Sequence, residues 1–550
     1  MNRAAVPTAS VTATVTLDGR SGPASLGMSL FEWAEAAGVE VPTSCQKQGK
    51  CRECLVEIES GAAHLNVPTP QERHLKGRFR LACRTRLLTP GTVIAHLLRR
   101  GALRIETDSA RAAGERARLD PAVVRAGEQA LPVGVVIAKA AGPLHGLAID
   151  LGTTTVAMRL HDLETGRLLA TQAFENPQRF GGSNVMARIH YDGTHRGRLL
   201  QRTLRGYLSR AIEALPVDPA TIYEVVVAGN PTMRDLLFGL DVQGLGALPF
   251  RSSTEAAMLA GTALSTSFDT TAKKLHLPIA AGARVHGLPL IGNHVGADAA
   301  ACLLATGLAE GEAICALLDI GTNTEVFLGN RHRLLAASAP AGPAFEGGGV
   351  SCGMPALDGA IERVHLARDG SVDLRVIGEV SPVGICGSGL VDLLAELMRT
   401  GQMSRLGRFV EPDSPIVLNA RPYVAVTEAD VSELAQAKGA NAAGLQILAE
   451  AYGIDLGQIE RLYLAGGFAR HIDVEAACRI GLVPDLPRER ILKVGNAALE
   501  GASIALLSRR RRSELEAIVR RAELVRLETH PRFFDFFVEG CQFESFGGDA

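Results

Sequence analysis

The chain has 550 residues, room for two to four domains, with 57 Lys and Arg against 59 Asp and Glu for a formal net charge of −2, which argues against a general nucleic-acid binder. Its 47% hydrophobic and 21% charged residues are an ordinary globular composition, and apolar runs such as LPVGVVIA (131–138) fall far short of a membrane span. The N-terminus, MNRAAVPTASVTATV, lacks the apolar core of a signal peptide, so a cytoplasmic protein without a membrane partner is expected.

From the N-terminus, VTATVTL (11–17) alternates as a strand, DGRSG turns and PASLGMS returns; SLFEWAEAAGVEVP (29–42) has helical spacing through Leu30, Trp33, Ala34 and Ala37. TSCQKQGKCREC then sets Cys45, Cys51 and Cys54 on one polar loop, C-x5-C-x2-C, ahead of the strand CLVEIESG (54–61). Cys83 stands at the edge of another strand, RLACRTRLL (80–88). Three thiolates from a loop and a fourth from a distant strand can surround a two-iron cluster, two sulfurs to each iron. Four cysteines also satisfy tetrahedral zinc, but structural zinc sites usually come as two close C-x2-C pairs, and here the last cysteine stands alone. A disulfide scaffold is opposed by the cytoplasmic setting. The balance favours a [2Fe–2S] cluster, and residues 11–98 resemble a ferredoxin domain of β-grasp fold, with a loop spacing nearer the adrenodoxin-like than the plant type. The remaining six of the ten cysteines are scattered in apolar surroundings and read as packed thiols.

Residues 99–145 differ in character. The stretch ETDSARAAGERARLDPAVVRAGEQALP (106–132) reads as a solvated helical linker broken at Pro121 and Pro132, with a small packed domain as the alternative.

An internal duplication follows. LAIDLGTTT (147–155) and LLDIGTNTE (317–325) are each an apolar run ending in Asp, then Gly, then hydroxyl-bearing residues. Each continues into a second apolar run, a polar turn (162–167; 329–333) and a third run (168–174; 334–340). Strand, Gly turn, strand, turn, strand, twice over at this spacing suits two similar lobes rather than a solenoid. Gly152 and Gly321 let backbone amides close on a phosphate, and Thr153, Thr154, Thr322, Asn323 and Thr324, with Glu325 beyond them, bring further polar groups. Asp150 and Asp319, at the strand ends, are placed to hold Mg²⁺ directly or through water. The pair makes a two-sided clamp for a nucleoside triphosphate.

Between and beyond the copies lie ENPQRFGGSNVMARI (175–189), a loop entering a helix, and YEVVVAGNPTMRDLLFGL (223–240), whose turn at 229–232 either faces the cleft or caps the helix. NHVGADAAACLLATGL (293–308) is a small-residue helix, a hinge or a core element. In the second lobe SAPAGPAFEGGGVSCGM (338–354) is a long Gly/Pro loop of binding or mobile character. GICGSGLVDLLAELM (384–398) opens a helix whose first amides, at Gly387, Ser388 and Gly389, could take a phosphate or ribose. RLYLAGGFARHID (461–473) ends a strand in Gly466 and Gly467, which permit close approach of a flat adenine. No GxxxxGK[ST] occurs, so a Walker-type loop is excluded.

The order of these parts over 146–545 resembles the actin, sugar-kinase and chaperone ATPase superfamily. Joined to the N-terminal ferredoxin domain, and with NPQ (176–178), GN-TM (229–233), DIGTNTE, AGPAFEGG (341–348), GICGSGLVD (384–392) and AGGF (465–468), the chain resembles the ATP-dependent reductive activases of corrinoid proteins. The resemblance implies a multidomain α+β and α/β chain. A [2Fe–2S] β-grasp ferredoxin domain (1–98) and a linker or reduced domain (99–145) precede a duplicated ribonuclease-H-like, actin-like ATPase (146–550) with lobes at about 146–312 and 313–550. It further implies a homodimer that passes electrons from an upstream donor, a reductase or ferredoxin, to the Co(II) corrinoid protein of a methyltransferase system. ATP then drives formation of Co(I). Beyond the resemblance, loop 338–349 is expected to face the corrinoid partner, with Ser338 as a cobalt-side contact. Asn184 stands where the family usually has an acidic residue, and 99–145 leaves little room for the family's usual intermediate domain. Two other readings remain: an electron carrier whose ATPase-like part only docks and dimerises, and a small-metabolite phosphotransferase with the cluster as redox sensor.

Overall fold

The computed structural model describes residues 12–39, 41, 47, 54–73, 75, 77–97, 119–125, 136–138, 142–367, 371–411, 414–467 and 469–547. Cys45 and Cys51 lie outside them. The chain divides into two compact units, Met1–Ala102 with Phe174–Ala214, and Leu103–Ala173 with Leu215–Ala550.

In the first unit, β1 (Thr12–Leu17) and β2 (Arg20–Ser25) form a hairpin, followed by α1 (Leu30–Ala36), β3 (Leu55–Ser60), β4 (Phe79–Leu81) and β5 (Thr92–Leu97). The return strand starts as early as Arg20 because Asp18 and Gly19 both take positive φ, 48° and 80°, and close a two-residue turn. The strands make one mixed sheet in the order β2-β1-β5-β3-β4, with β1 and β5 parallel. Helix α1 starts at a capping box in which Ser29 and Glu32 satisfy each other's backbone amides, and it buries Leu30, Phe31, Trp33 and Ala34.

The stretch expected to be a helical linker contains, where described, two short parallel strands, β6 (Val123–Arg125) and β7 (Val136–Ala138). Its Ala- and Arg-rich composition favours helix locally, but Asp120 pairs with the chain near Ser508 (Asp120 N to Leu507 O, 2.9 Å) and fixes an extended backbone.

The duplication is visible as topology. β8 (His145–Leu151), β9 (Thr155–Asp162) and β10 (Leu168–Glu175) are followed by β11 (Ile222–Gly229), β12 (Phe268–Thr271) and β13 (Arg284–Gly287), in the order β10-β9-β8-β11-β13-β12. β14 (Cys315–Ile320), β15 (Thr324–Gly329) and β16 (Leu334–Ala339) repeat the meander. Three strands, β17 (Ala360–Leu366), β18 (Val372–Val376) and β19 (Gly384–Ile385), form a separate small sheet, and β20 (Ile416–Ala420) and β21 (Tyr423–Val426) a hairpin. β22 (Arg461–Ala465), β23 (Ile491–Gly495) and β24 (Ala522–Leu524) complete the second large sheet, β23-β22-β14-β15-β16-β24. In both large sheets the first strand pairs antiparallel with the second and parallel with the strand that follows the meander. This is the duplicated ribonuclease-H-like fold.

Two helices follow β10, α2 (Val185–Thr194) and α3 (Leu199–Glu213). Asn184 is the N-cap of α2, accepting from Ala187 N at 2.9 Å, which accounts for it as a helix start. The first lobe continues with α4 (Pro231–Phe238), α5 (Ser253–Leu259), α6 (Ala272–Leu275) and α7 (Ala297–Thr306). The second adds α8 (Gly387–Arg399), the long α9 (Glu428–Tyr452), α10 (Val474–Arg479) and α11 (Ala497–Leu507). The small residues of α7 serve packing: Gly501 of α11 lies so close that a Cβ there would be 2.0 Å from Ala301 O. Among the described residues no helix is long and apolar enough to cross a membrane.

Candidate functional site

The tips of the two Gly-Thr hairpins meet. Each hairpin is a tight link between antiparallel strands; in the first, Gly152 N donates to Thr155 O at 2.9 Å. Thr154 Oγ1 and Thr322 Oγ1 are 3.5 Å apart, and both donate to Glu346 Oε2, at 3.2 and 2.5 Å. They open into a cavity of about 1020 Å³, at the upper end of the range for small-molecule sites. Its wall includes Asp150, Gly152, Thr153, Thr154, Asp319, Gly321, Thr322, Asn323 and Glu325, with Gly387, Ser388, Gly466 and Gly467 on the second-lobe side.

Two residues expected at the nucleotide are placed otherwise. Thr324 is fully buried on β15, outside the cavity lining. Gly389 packs: a Cβ there would stand 2.3 Å from Ile361 O. Ser338 lies on β16 opposite Glu325, with Oγ 3.5 Å from Glu325 Oε1, and does not line the cavity. Of the glycine pair, Gly466 is required by its φ of +112° and its approach to Ile320 O, whereas the space beside Gly467 is open, as a flat ligand needs.

Five further lining residues were not singled out from the sequence: Asp298, Glu346, Asn496, Glu362 and Arg375. Asp298 sits in the first turn of α7 and accepts from Ala299 N at 2.9 Å. Asn496 caps α11 by accepting from Leu499 N and donates Nδ2 to Asp150 Oδ2, both at 2.8 Å. Asn230 does the same from the other lobe: it caps α4, accepting from Met233 N at 3.0 Å, and donates to Thr153 Oγ1 at 3.0 Å. The turn at 229–232 therefore both faces the cleft and caps the helix. A second duplication, VVVAGNPTM (225–233) against ILKVGNAAL (491–499), is the signal that identifies Asn496. Glu362 is the extra residue of a bulge between Ile361 and Arg363, a device that re-aims a side chain, and it pairs with Arg375 at 2.8 Å.

The carboxylates of the cavity are enclosed and raise one another's pKa. Enclosure from water and the charge of Asp298 push Asp150 up to about 7, against the hydrogen bond from Asn496. Asp298 is raised to about 7 by enclosure and Asp319, and Asp319 to about 6 by enclosure, Asp150 and Glu346. Glu325 stands well above the usual carboxylate range for the same reasons, and Cys302, whose Sγ is 3.4 Å from Asp319 Oδ2, is held as a thiol. Among the described residues no three His, Cys, Asp or Glu side chains form a metal cage on their own.

In the N-terminal sheet, Cys54 and Cys83 are buried and their sulfurs are 3.3 Å apart. That is too long for a disulfide, near 2.05 Å, and close to the roughly 3.7 Å expected for two thiolates sharing one tetrahedral metal at about 2.3 Å each. The donor pair fits one iron of a two-iron cluster; Cys45 and Cys51 lie outside the described residues.

The chain matches three family models: the 2Fe-2S iron-sulfur cluster binding domain over 15–88, the RACo middle region over 145–311, and the C-terminal, ASKHA domain of RACo over 313–548. It is 33% identical over 435 residues to the corrinoid activation enzyme RamQ of Eubacterium limosum, covering 73% of this chain and 70% of that protein. It is 26% identical over 420 residues to a [Co(II) methylated amine-specific corrinoid protein] reductase of Methanosarcina barkeri, covering 72% of this chain and 76% of the other. Among solved structures, a reductive activator for corrinoid,iron-sulfur protein superposes with a TM-score of 0.71 at 27% identity, over 97% of this chain and 98% of that one.

Proposed function

The chain belongs to the reductive activators of corrinoid proteins, and from that premise we propose that it reduces a corrinoid protein by one electron, Co(II) to Co(I), at the expense of ATP. The observation that carries the reading is the meeting of Thr154 and Thr322 over a pool of enclosed carboxylates, on the polypeptide that also brings Cys54 and Cys83 together. A [2Fe–2S] cluster on Cys45, Cys51, Cys54 and Cys83 supplies a one-electron relay. Gly152, Thr153, Thr154, Gly321, Thr322 and Asn323 offer the phosphate donors. Asp150 and Asp319 hold Mg²⁺, Asp298 orients the attacking water, and Gly467 leaves space for the base. Plant-type two-iron centres lie near about −400 mV, and each 100 mV uphill costs one electron roughly 2.3 kcal/mol. A gap of one or two hundred millivolts, roughly 2–5 kcal/mol, is within reach of a nucleotide-driven change in how the partner is held. An upstream reductase or ferredoxin, a homodimer and a methyltransferase system as recipient belong to the same reading through the likeness to the family.

The test mixes the full chain, an artificial reductant and candidate corrinoid proteins, and follows the cobalt spectrum with and without ATP. ATP-dependent appearance of Co(I) is expected. Reduction indifferent to ATP, with no hydrolysis stimulated by the corrinoid protein, would instead support a plain electron carrier. Ser338→Ala should slow cobalt reduction without altering the cluster spectrum; unaltered reduction removes Ser338 from the corrinoid side.

A further inference from the structure

Glu346 occupies an unusual position. It closes the short turn Ala344–Glu346 in the Gly/Pro loop of the second lobe, yet its carboxylate lies where the two hairpin tips converge. One oxygen, Oε2, takes both threonine hydroxyls, and Oε1 is 3.8 Å from where a Cβ of Gly321 would stand. The hydroxyls of a Gly-Thr turn are phosphate donors. In this structure they are taken by an anion that belongs to the chain.

Resting on the reading that this cavity takes ATP, we propose that Glu346 is the residue by which the site tells a nucleoside triphosphate from a diphosphate. With the adenosine end held on the second-lobe side, the γ-phosphate is the one that reaches between both tips; a diphosphate, one phosphate shorter, leaves that place to the carboxylate. Two anions do not share the same pair of donors at contact distance. ATP therefore displaces Glu346, and ADP does not.

The surroundings determine where the displacement goes. Gly347 and Gly349 take φ of +84° and +80°, and a Cβ on Gly347 would be 2.5 Å from Met354 N, so the chain after Glu346 needs glycine. Four residues after Gly347, Ser351 is fixed: its N and Oγ bond to Asp430 at 2.6 and 2.7 Å, and Asp430 belongs to the capping box that starts α9. Movement of the carboxylate is thus absorbed between Ala344 and Val350. The terminal phosphate decides the shape of that segment.

The experiment titrates the full chain, with Mg²⁺ present, with AMPPNP and with ADP. Wild type sets the ratio of the two affinities. Glu346→Gln keeps a hydrogen-bonding side chain and removes the charge; it should tighten AMPPNP by at least about tenfold and change ADP much less, since like-charge contact in a closed site is costly. Glu346→Asp, shorter by one methylene, should fall between. An unchanged ratio, or one shifted towards ADP, overturns the inference and leaves ATP binding standing. A wild type that binds neither nucleotide overturns both. Should Glu346→Gln fail to fold, hydrogen exchange on the wild type decides: residues 340–354 should exchange faster with AMPPNP than with ADP, and equal protection overturns the inference.

Discussion

Asn496 donates to Asp150 at 2.8 Å across 346 residues of sequence, so the cap of a late helix holds the carboxylate at the base of the first hairpin. The geometry has a thermodynamic consequence. Asn496→Ala removes a helix cap, about 1 kcal/mol, and strips Asp150 of the hydrogen bond that opposes its rise. Chemical denaturation should show a loss of about 1–2 kcal/mol, more than the cap alone explains. A loss under about 0.5 kcal/mol would mean the bond carries no load.

The approach of α7 and α11 predicts a different kind of sensitivity. Gly501→Ala would place a methyl 2.0 Å from Ala301 O, a backbone atom that can move only with its helix. Overpacking of this sort costs about 1–3 kcal/mol, and because α7 presents Asp298 to the cavity, ATP turnover should fall as well. Wild-type stability in Gly501→Ala would show that the two helices separate freely.

In the N-terminal sheet, Glu72 is buried and accepts from Arg80 Nε, Leu81 N and Thr69 N at 2.9, 2.9 and 2.7 Å. Burial alone would raise its pKa, but the hydrogen bonds from Arg80, Thr69 and Leu81 outweigh it and hold the carboxyl below the ordinary 4.5. The contribution is therefore complete above about pH 4.5 and drains away as pH falls through the lower folded value. Leu81 lies two residues from Cys83, so acid should bleach the cluster absorbance in step with this loss. Glu72→Ala, which strands Arg80, should cost about 3–5 kcal/mol. Bleaching with the same midpoint in wild type and Glu72→Gln would sever Glu72 from cluster retention.

The sequence showed the two hairpins because each copy combines a strand, an Asp and a Gly-Thr turn, a local pattern that repeats. The same logic applied to GNP at 229–231 and GNA at 495–497 would have found Asn496, but a Gly-Asn pair at a helix start also reads as an ordinary cap, and here it is both. Asp298 was hidden by composition: a helix of alanines looks like packing, and α7 does pack, while its first turn faces the cavity. Glu346 and the Glu362–Arg375 pair depend on a loop fold and a bulge that no periodicity encodes. Residues 123–125 and 136–138 went to strand rather than helix by pairing with each other, and Asp120 by bridging to distant Ser508, neither of which local propensity registers.

The three aspartates of the cavity are not equivalent, and the difference underlies the proposed division of their tasks. Asp150 is engaged by Asn496 and Asp319 by Cys302, whereas Asp298 takes its hydrogen bond from the backbone of its own helix. A carboxylate steadied at a helix start is suited to orienting a water and accepting its proton; carboxylates steadied by side chains from another element suit a cation. Asp298→Asn should therefore keep nucleotide affinity within a few-fold and slow hydrolysis by roughly 10²–10⁴. Asp319→Asn should weaken Mg²⁺-dependent binding itself, and in both variants the visible spectrum of the cluster should stay as in wild type. If instead Asp298→Asn abolished binding while Asp319→Asn spared it, the two roles would have to be exchanged.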